Sequence, residues 1–454
     1  MKRILTILGI MLLLASAWAQ ETAFAALPSL NMEAAKAQAL KNNPAYQAKE
    51  AALNAAKWAK TNAISTVLPS LSFGSTLMYS DPATSVQTGG STTSLNNDMR
   101  TMSLNLSQPL FLGGKAWQAY KIATTSLEIA ELNYQNQRYT LLSEVESKFL
   151  SALQLKSVYQ ISQLDLNSAK DNLALAKIKQ DNGLLSRADY LRFQSRLASK
   201  EVSALQAQTA LQLVLTDLAN YLGATELMMP QDMAMEQEES YIAKLDTYDL
   251  ALTNRLSGKM LQLASKRNLN YQIMDKSVEL SQRAYSIAKA SFLPTLMLTG
   301  SRMYRENGID RYKFSASNQI MLNLSVPILP GLGFYSSAQK AKEEARKASL
   351  EAKTATDGIK LGVESATLNW VSSAKQVQSA ELALSYSEEL YRQMQERFRL
   401  NMLSPLELLD AELMLSSARM TYNTTFYTYL KSRSALMQAL AVEDTNELYT
   451  LIEN

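Results

Sequence analysis

The chain has neither cysteine nor histidine among its 454 residues. The first absence excludes disulfides, thiolate nucleophiles, cysteine-ligated metals and lipid attachment through an N-terminal cysteine. The second removes the commonest general base, and together they remove the commonest zinc ligands, so no catalytic residue, cofactor or metal site is expected. Glycine and proline are scarce, 15 and 10 in all, which predicts long uninterrupted helices. Beyond the N-terminus no stretch approaches the roughly 18 apolar residues of a membrane-spanning helix, so any membrane crossing falls to β-strands. A formal net charge of +3 leaves no nucleic-acid footprint.

The ends and the repeats carry the positive signals. Lys2 and Arg3 precede an apolar run over 4–14, and Ala17-Trp18-Ala19 offers a small-x-small cleavage site; residues 1–19 read as a secretory signal peptide. Lys41, Asn43, Tyr46, Gln47, Leu68, Pro69 and Leu71 recur 225 residues later as Lys266, Asn268, Tyr271, Gln272, Leu293, Pro294 and Leu296. Leu104-Asn105-Leu106-Ser107 returns as Leu322-Asn323-Leu324-Ser325, and Leu185-Ser186 as Leu403-Ser404, both 218 residues on. The chain therefore reads as an internal duplication, 20–233 and 234–454, whose halves need each other.

Each half repeats one plan: a short helix, a β-hairpin (70–110 and 295–327), a long helix (114–181 and 334–400) and a return helix (187–222 and 405–440). In the first long helix Val145, Ala152, Tyr159, Leu166 and Leu173 recur every seven residues, while Leu150, Leu153, Ile161, Leu164, Leu175 and Ile178 form a second stripe. A helix with two seams needs neighbours on both sides. In the hairpins Leu71, Phe73, Leu77, Leu104, Leu106, Leu298 and Leu322 alternate with hydroxyl-rich positions over segments of about ten residues, enough for a tilted strand to cross a hydrocarbon layer. Four strands cannot close a barrel, and open edges in lipid leave backbone groups unpaired at several kcal/mol each. Several chains must then share one barrel.

Asn42-Asn43-Pro44, the Leu-Pro pairs at 68–69 and 293–294, the strand ends Ser107-Gln108-Pro109-Leu110-Phe111 and Ser325-Val326-Pro327-Ile328, and the turns Gly183-Leu184-Leu185-Ser186 and Leu403-Ser404-Pro405, in that order and doubled, resemble the TolC-like outer-membrane efflux protein family. The resemblance implies a mainly α fold with a membrane β-barrel: a homotrimer with a twelve-stranded barrel and a periplasmic helical tunnel, in the outer membrane of a Gram-negative bacterium. A mixed equatorial region is implied for 27–43, 223–253 and the tail after Ala441. It also implies a passive exit duct for efflux or type I secretion, joined by a periplasmic adaptor (membrane fusion protein) to an inner-membrane pump of RND, ABC or MFS class. The alternative from another class is a periplasmic coiled-coil adaptor without a pore; such a protein is expected to show one hairpin flanked by glycine-rich β-domains.

Family gates carry two carboxylates on the return helix after the second turn, a pattern that falls on Glu407 and Asp410, and an acidic residue at the first turn, here Asp189. The basic partner that Asp189 meets in the family pattern corresponds to Leu403, leaving Arg187 as a neighbour for it. The turns 183–186 and 402–405, that is Gly183, Leu184, Leu185, Ser186, Met402, Leu403, Ser404 and Pro405, are expected to present apolar leucines to the adaptor. Met228, Met229, Met233 and Met235 cluster in the connector; thioethers suit cuprous or silver ions, though adaptable packing is their commoner use. Glu343-Glu344 and Glu388-Glu389 read as solvated faces.

Overall fold

The computed structural model describes residues 24, 27–81, 85–88, 91–94, 97–233, 236–306, 312–328 and 331–453. The signal segment 1–19 and Met235 lie outside them. Ten helices follow in chain order among the described residues: α1 (Met32–Asn42), α2 (Pro44–Ser65), α3 (Lys115–Asp181), α4 (Arg187–Leu222), α5 (Glu236–Asp246), α6 (Leu250–Arg267), α7 (Leu269–Ala290), α8 (Gly331–Arg399), α9 (Pro405–Leu440) and α10 (Thr445–Glu453). None of these is long and apolar enough to cross a membrane. The strands are β1 (Ser29–Leu30), β2 (Ser70–Tyr79), β3 (Ser85–Thr88), β4 (Ser91–Ser94), β5 (Asp98–Leu112), β6 (Met229–Pro230), β7 (Thr295–Glu306) and β8 (Phe314–Ser325). The chain forms two compact units, each drawing on both halves of the sequence.

One unit, Lys49–Tyr134 with Tyr271–Thr356, holds a four-stranded antiparallel sheet in the order β2-β5-β7-β8. Register places Leu71 opposite Leu106, Phe73 opposite Leu104, Leu106 opposite Gly300, Leu298 opposite Leu322 and Leu296 opposite Leu324. Because side chains alternate, these residues share one face, while Ser72, Asn105, Ser103, Ser301, Gln319 and Asn323 fall on the other. The apolar face is open: Phe73, Leu77, Leu322 and Leu324 are exposed, and Ile320 is 84% exposed. A bulge between Pro109 and Phe111 sets Leu110 out of register, where proline has no N–H to give the ladder. The Gly/Ser/Thr/Asn-rich stretch between β2 and β5 contains the small hairpin β3–β4. Its Ser/Thr/Val run around a Gly-Gly pair has the composition of strand and turn.

The other unit comprises the described residues of Gln135–Asn270, of Asp357–Asn454 and of the chain before Lys49. Phe149, Leu150 and Leu153 of α3, Leu211, Leu215 and Leu218 of α4, Trp370 of α8, and Tyr429, Leu430 and Leu436 of α9 are buried in it. A parallel two-residue ladder, Ser29 with Met229 and Leu30 with Pro230, joins the N-terminal segment to the connector. The recurring asparagines explain themselves here. Asn43 Nδ2 donates to the Tyr221 carbonyl at the end of α4 (3.2 Å), and Asn268 Nδ2 donates to the Ala439 carbonyl at the end of α9 (2.8 Å). Each side-chain oxygen accepts from the start of the next helix, Ala45 N at 3.0 Å and Asn270 N at 2.9 Å, so one residue serves two helix ends. Asn43→Ala or Asn268→Ala should each lower stability by about 1–2 kcal/mol; urea unfolding of the assembled protein in detergent reads the loss.

The helix stops are duplicated less faithfully than the caps. Gly223 ends α4 with φ +63°, and a Cβ there would come within 3.0 Å of Asn42 Cβ. Its counterpart after α9 is Ala441, held at φ +53°, a left-handed conformation that disfavours a side chain.

Candidate functional site

The two helical turns fold alike, residue by residue, at the 218-residue offset. Gly183 (φ +74°) and Asn401 (φ +60°) supply the left-handed residue after α3 and α8. Leu184 N donates to the Lys179 carbonyl and Met402 N to the Arg397 carbonyl, both at 2.8 Å, closing the same C-terminal motif. Leu184 and Met402 then stand in solvent, 61% and 73% exposed. Leu185 and Leu403, expected as exposed docking residues, instead pack against a buried cluster of Ala176, Phe193, Tyr391, Phe398, Leu408, Ala411 and Leu415. The adjacent residues of each tight turn, Leu184 with Leu185 and Met402 with Leu403, take opposite sides, so one of each pair faces out.

Ser186 and Ser404 cap α4 and α9, and two of the three acidic residues expected at the gate, Asp189 and Glu407, are their partners. Glu407 Oε2 accepts from Ser404 N (3.0 Å) and Ser404 Oγ (2.6 Å), a capping box with Pro405 in the first turn. These hydrogen bonds, that from the hydroxyl first, hold the Glu407 carboxyl below the usual carboxylate range. Asp189 takes the same place in α4, accepting from Ser186 Oγ at 2.7 Å. Its cationic neighbour is Arg192 at 3.9 Å rather than Arg187, which lies over the Tyr190 ring. Glu407 is thereby turned back on its own helix start. Asp410 opens onto a groove of about 450 Å³ lined by Arg192, Ser195, Arg196, Leu406 and Leu413. The two carboxylates remain three residues apart on α9, the first engaged by its cap and the second lining the groove.

What ties the two hairpins is a buried polar network that the sequence reading missed. Glu412, 3% exposed, accepts from Arg196 Nε (2.9 Å) and Asn172 Nδ2 (3.1 Å), and Asn172 Nδ2 also donates to Tyr391 Oη (3.0 Å). Four residues from α4, α9, α3 and α8 thus meet in one knot. Nearby, Lys200 donates to Asp165 (2.5 Å) and Ser416 (2.9 Å), while Arg419 reaches Asp165 and Glu388. Lys179 of α3 donates to the Arg399 carbonyl and Asn401 Oδ1 of the second turn and sits 4.9 Å from the Phe398 ring centre. Burial pushes its ammonium below the ordinary lysine range. These contacts join the first hairpin to the second turn, where position 403 carries leucine rather than a base. Of the acidic pairs read as solvated, Glu343, Glu344 and Glu389 carry only local helix ion pairs, whereas Glu388 faces Arg419.

A second knot joins α1, α3, α5, α9 and α10. Arg433 of α9, 2% exposed, donates to Glu146 of α3 (2.9 Å) and to Glu238 of α5; Tyr449 of α10 donates to Glu238 (2.7 Å), and Lys36 of α1 lies 3.7 Å from Glu146. Burial works against the Arg433 charge, but Glu238 and Glu146 outweigh it and keep the guanidinium protonated. No cluster of His, Cys, Asp and Glu able to hold a metal occurs among the described residues.

Residues 36–224 and 260–442 match the family described as outer membrane efflux protein. The outer membrane protein TolC of Escherichia coli K12 is 22% identical over 432 residues, covering 91% of this chain and 83% of its own length. Among solved structures, the CmeC outer membrane channel of Campylobacter jejuni is similar with a TM-score of 0.77 at 16% identity, over 93% of this chain and 89% of its own. The outer membrane protein VceC of Vibrio cholerae gives 0.74 at 17% identity, over 91% and 97%.

Proposed function

The chain belongs to the outer membrane efflux protein family, and from that premise we propose that it is the passive exit duct of an efflux or type I secretion system. It works as a homotrimer, joined through a periplasmic adaptor to an inner-membrane pump. The observation that carries the reading is the sheet: one apolar face, one hydroxyl-rich face, and two unpaired edges, β2 and β8. An even number of alternating strands lets β8 of one chain meet β2 of the next antiparallel, so that repetition closes a barrel without edges in lipid. Three chains give twelve strands. Leu164 and Ile178, on the second stripe of α3, are exposed in a single chain, and a neighbouring chain supplies the missing partner. Reconstitution into planar bilayers tests the duct: discrete conductance steps are expected, and their absence from correctly assembled protein would overturn it.

Within this reading Glu407 and Asp410 form rings of negative charge around the periplasmic mouth. Replacing both with alanine should weaken block by divalent cations severalfold in single-channel recordings, with Asp410 contributing more because Glu407 is engaged by its cap. Unchanged block would reduce both to surface charges. The adaptor sits on the exposed tip residues Leu184 and Met402. Leu184→Asp with Met402→Asp should abolish export in cells while trimer mass and membrane insertion stay normal; the same pair at Leu185 and Leu403 should instead loosen the turns, since those side chains are in the core cluster.

A further inference from the structure

Where the four helices adjoin the sheet, charge is one-sided. Between Glu50 and the sheet α2 carries Lys57 and Lys60; α3 carries Lys115 and Lys121 before its first carboxylate, Glu128; α7 carries Arg283 and Lys289 after Glu279; α8 carries Lys340 and Lys342 before Glu343. Arg283 and Lys340 are paired with Glu279 and Glu344. Lys57, Lys60, Lys115, Lys121, Lys289 and Lys342 have no carboxylate within ion-pair distance among the described residues. The sheet's own carboxylates, Asp98 and Glu306, lie at its opposite end.

The same helix ends carry aromatic rings and touch one another. Lys121 lies 4.9 Å from the Trp117 ring centre, Lys60 5.9 Å from Tyr120 and Lys289 4.5 Å from Tyr285. Trp117 packs beside Tyr120, and Phe292 meets Phe334 edge-on at 6.0 Å. A Cβ on Gly113 would fall 2.9 Å from the Ala290 carbonyl oxygen, so α3 and α7 begin and end in contact. The collar is thus contiguous with the rim of the open apolar face, and it pairs rings suited to a membrane interface with unneutralised ammonium groups on long stems.

We propose that this lysine–aromatic collar is a binding site for the anionic headgroups of phospholipids in the periplasmic leaflet of the outer membrane. Acyl chains lie on the apolar strands while phosphates take the lysines that no protein carboxylate neutralises. The assignment rests on the outer-membrane placement of the sheet. Each cation near an anionic surface is worth roughly a fivefold preference, and the attraction is screened by salt.

The test uses the whole protein in mixed phosphatidylethanolamine–phosphatidylglycerol vesicles, extracted gently and weighed with its lipids by native mass spectrometry. Severalfold enrichment of phosphatidylglycerol over the vesicle composition, falling at high salt, is expected for the unaltered protein. Changing the six lysines to glutamine should remove it, and inorganic phosphate should not compete at millimolar levels. Retention of lipid at the vesicle ratio, by itself, overturns the proposal whether or not the six-fold variant folds. Enrichment that persists in a folded variant, or a change in channel anion selectivity without a change in lipid, also overturns it, the latter by placing the lysines in the bore. The protein mass in the same spectrum reads the oligomer, so failure of the trimer reading is seen separately.

Discussion

Replacing Arg433 with methionine is expected to destabilise the protein by about 3–5 kcal/mol, because Glu146 and Glu238 would be left buried without their main cation. Lys36, at 3.7 Å from Glu146, compensates only in part. The loss should be concentrated in the connector and the C-terminal tail: α5 and α10 meet α9 through Glu238 and Tyr449, backed by the stack of Tyr241 on Tyr449 at 3.5 Å. Hydrogen exchange would show those helices opening first, and limited proteolysis would cut them first. Arg433→Lys should recover less than half of the loss, since an ammonium cannot reproduce the two-pronged contact. Stability within about 1 kcal/mol of the parent would mean the network contributes little.

Glu412→Leu is expected to have a similar cost, about 3–5 kcal/mol, and a functional signature as well. The substitution leaves the Arg196 guanidinium, whose Nη2 already has no partner, in a buried site with Asn172. The four helices that meet there lose their common acceptor, so the turns should part more readily and single-channel conductance should rise. Unfolding midpoints and bilayer recordings on the same preparation separate the two effects. A destabilised protein with unchanged conductance would make the knot a structural tie only.

Sequence patterns carried the elements far better than the ties between them. Period two in 70–79, 101–107 and 295–325 marks the strands and the apolar face, whereas the register of Leu71 with Leu106 comes from the structure, since a shift of two residues would keep the same alternation. The turn signals Ser186-x-x-Asp189 and Ser404-x-x-Glu407 are visible as capping sequences, while the family resemblance assigns the same two carboxylates to the gate. Capping is a short-range demand that is met before any long-range role. The knots at Glu412 and Arg433 were not legible because a charged residue in a helical heptad reads as solvated. Only the approach of residues 195 to 287 positions apart makes burial of those charges tolerable. Leu185 and Leu403 illustrate a finer limit, since the repeat marks a turn but not which of two adjacent residues points out.

The shared barrel is the central claim, and the lack of native cysteine makes it directly measurable. Single cysteines scanned along the two edge strands, one on β2 and one on β8, can form a disulfide only where those edges meet across chains, since β5 and β7 separate them within one chain. Oxidation in isolated outer membranes is predicted to give, at matching register, a covalent ladder that ends at three chains. Oxidised samples in which every edge pair remains a single chain would contradict the shared barrel.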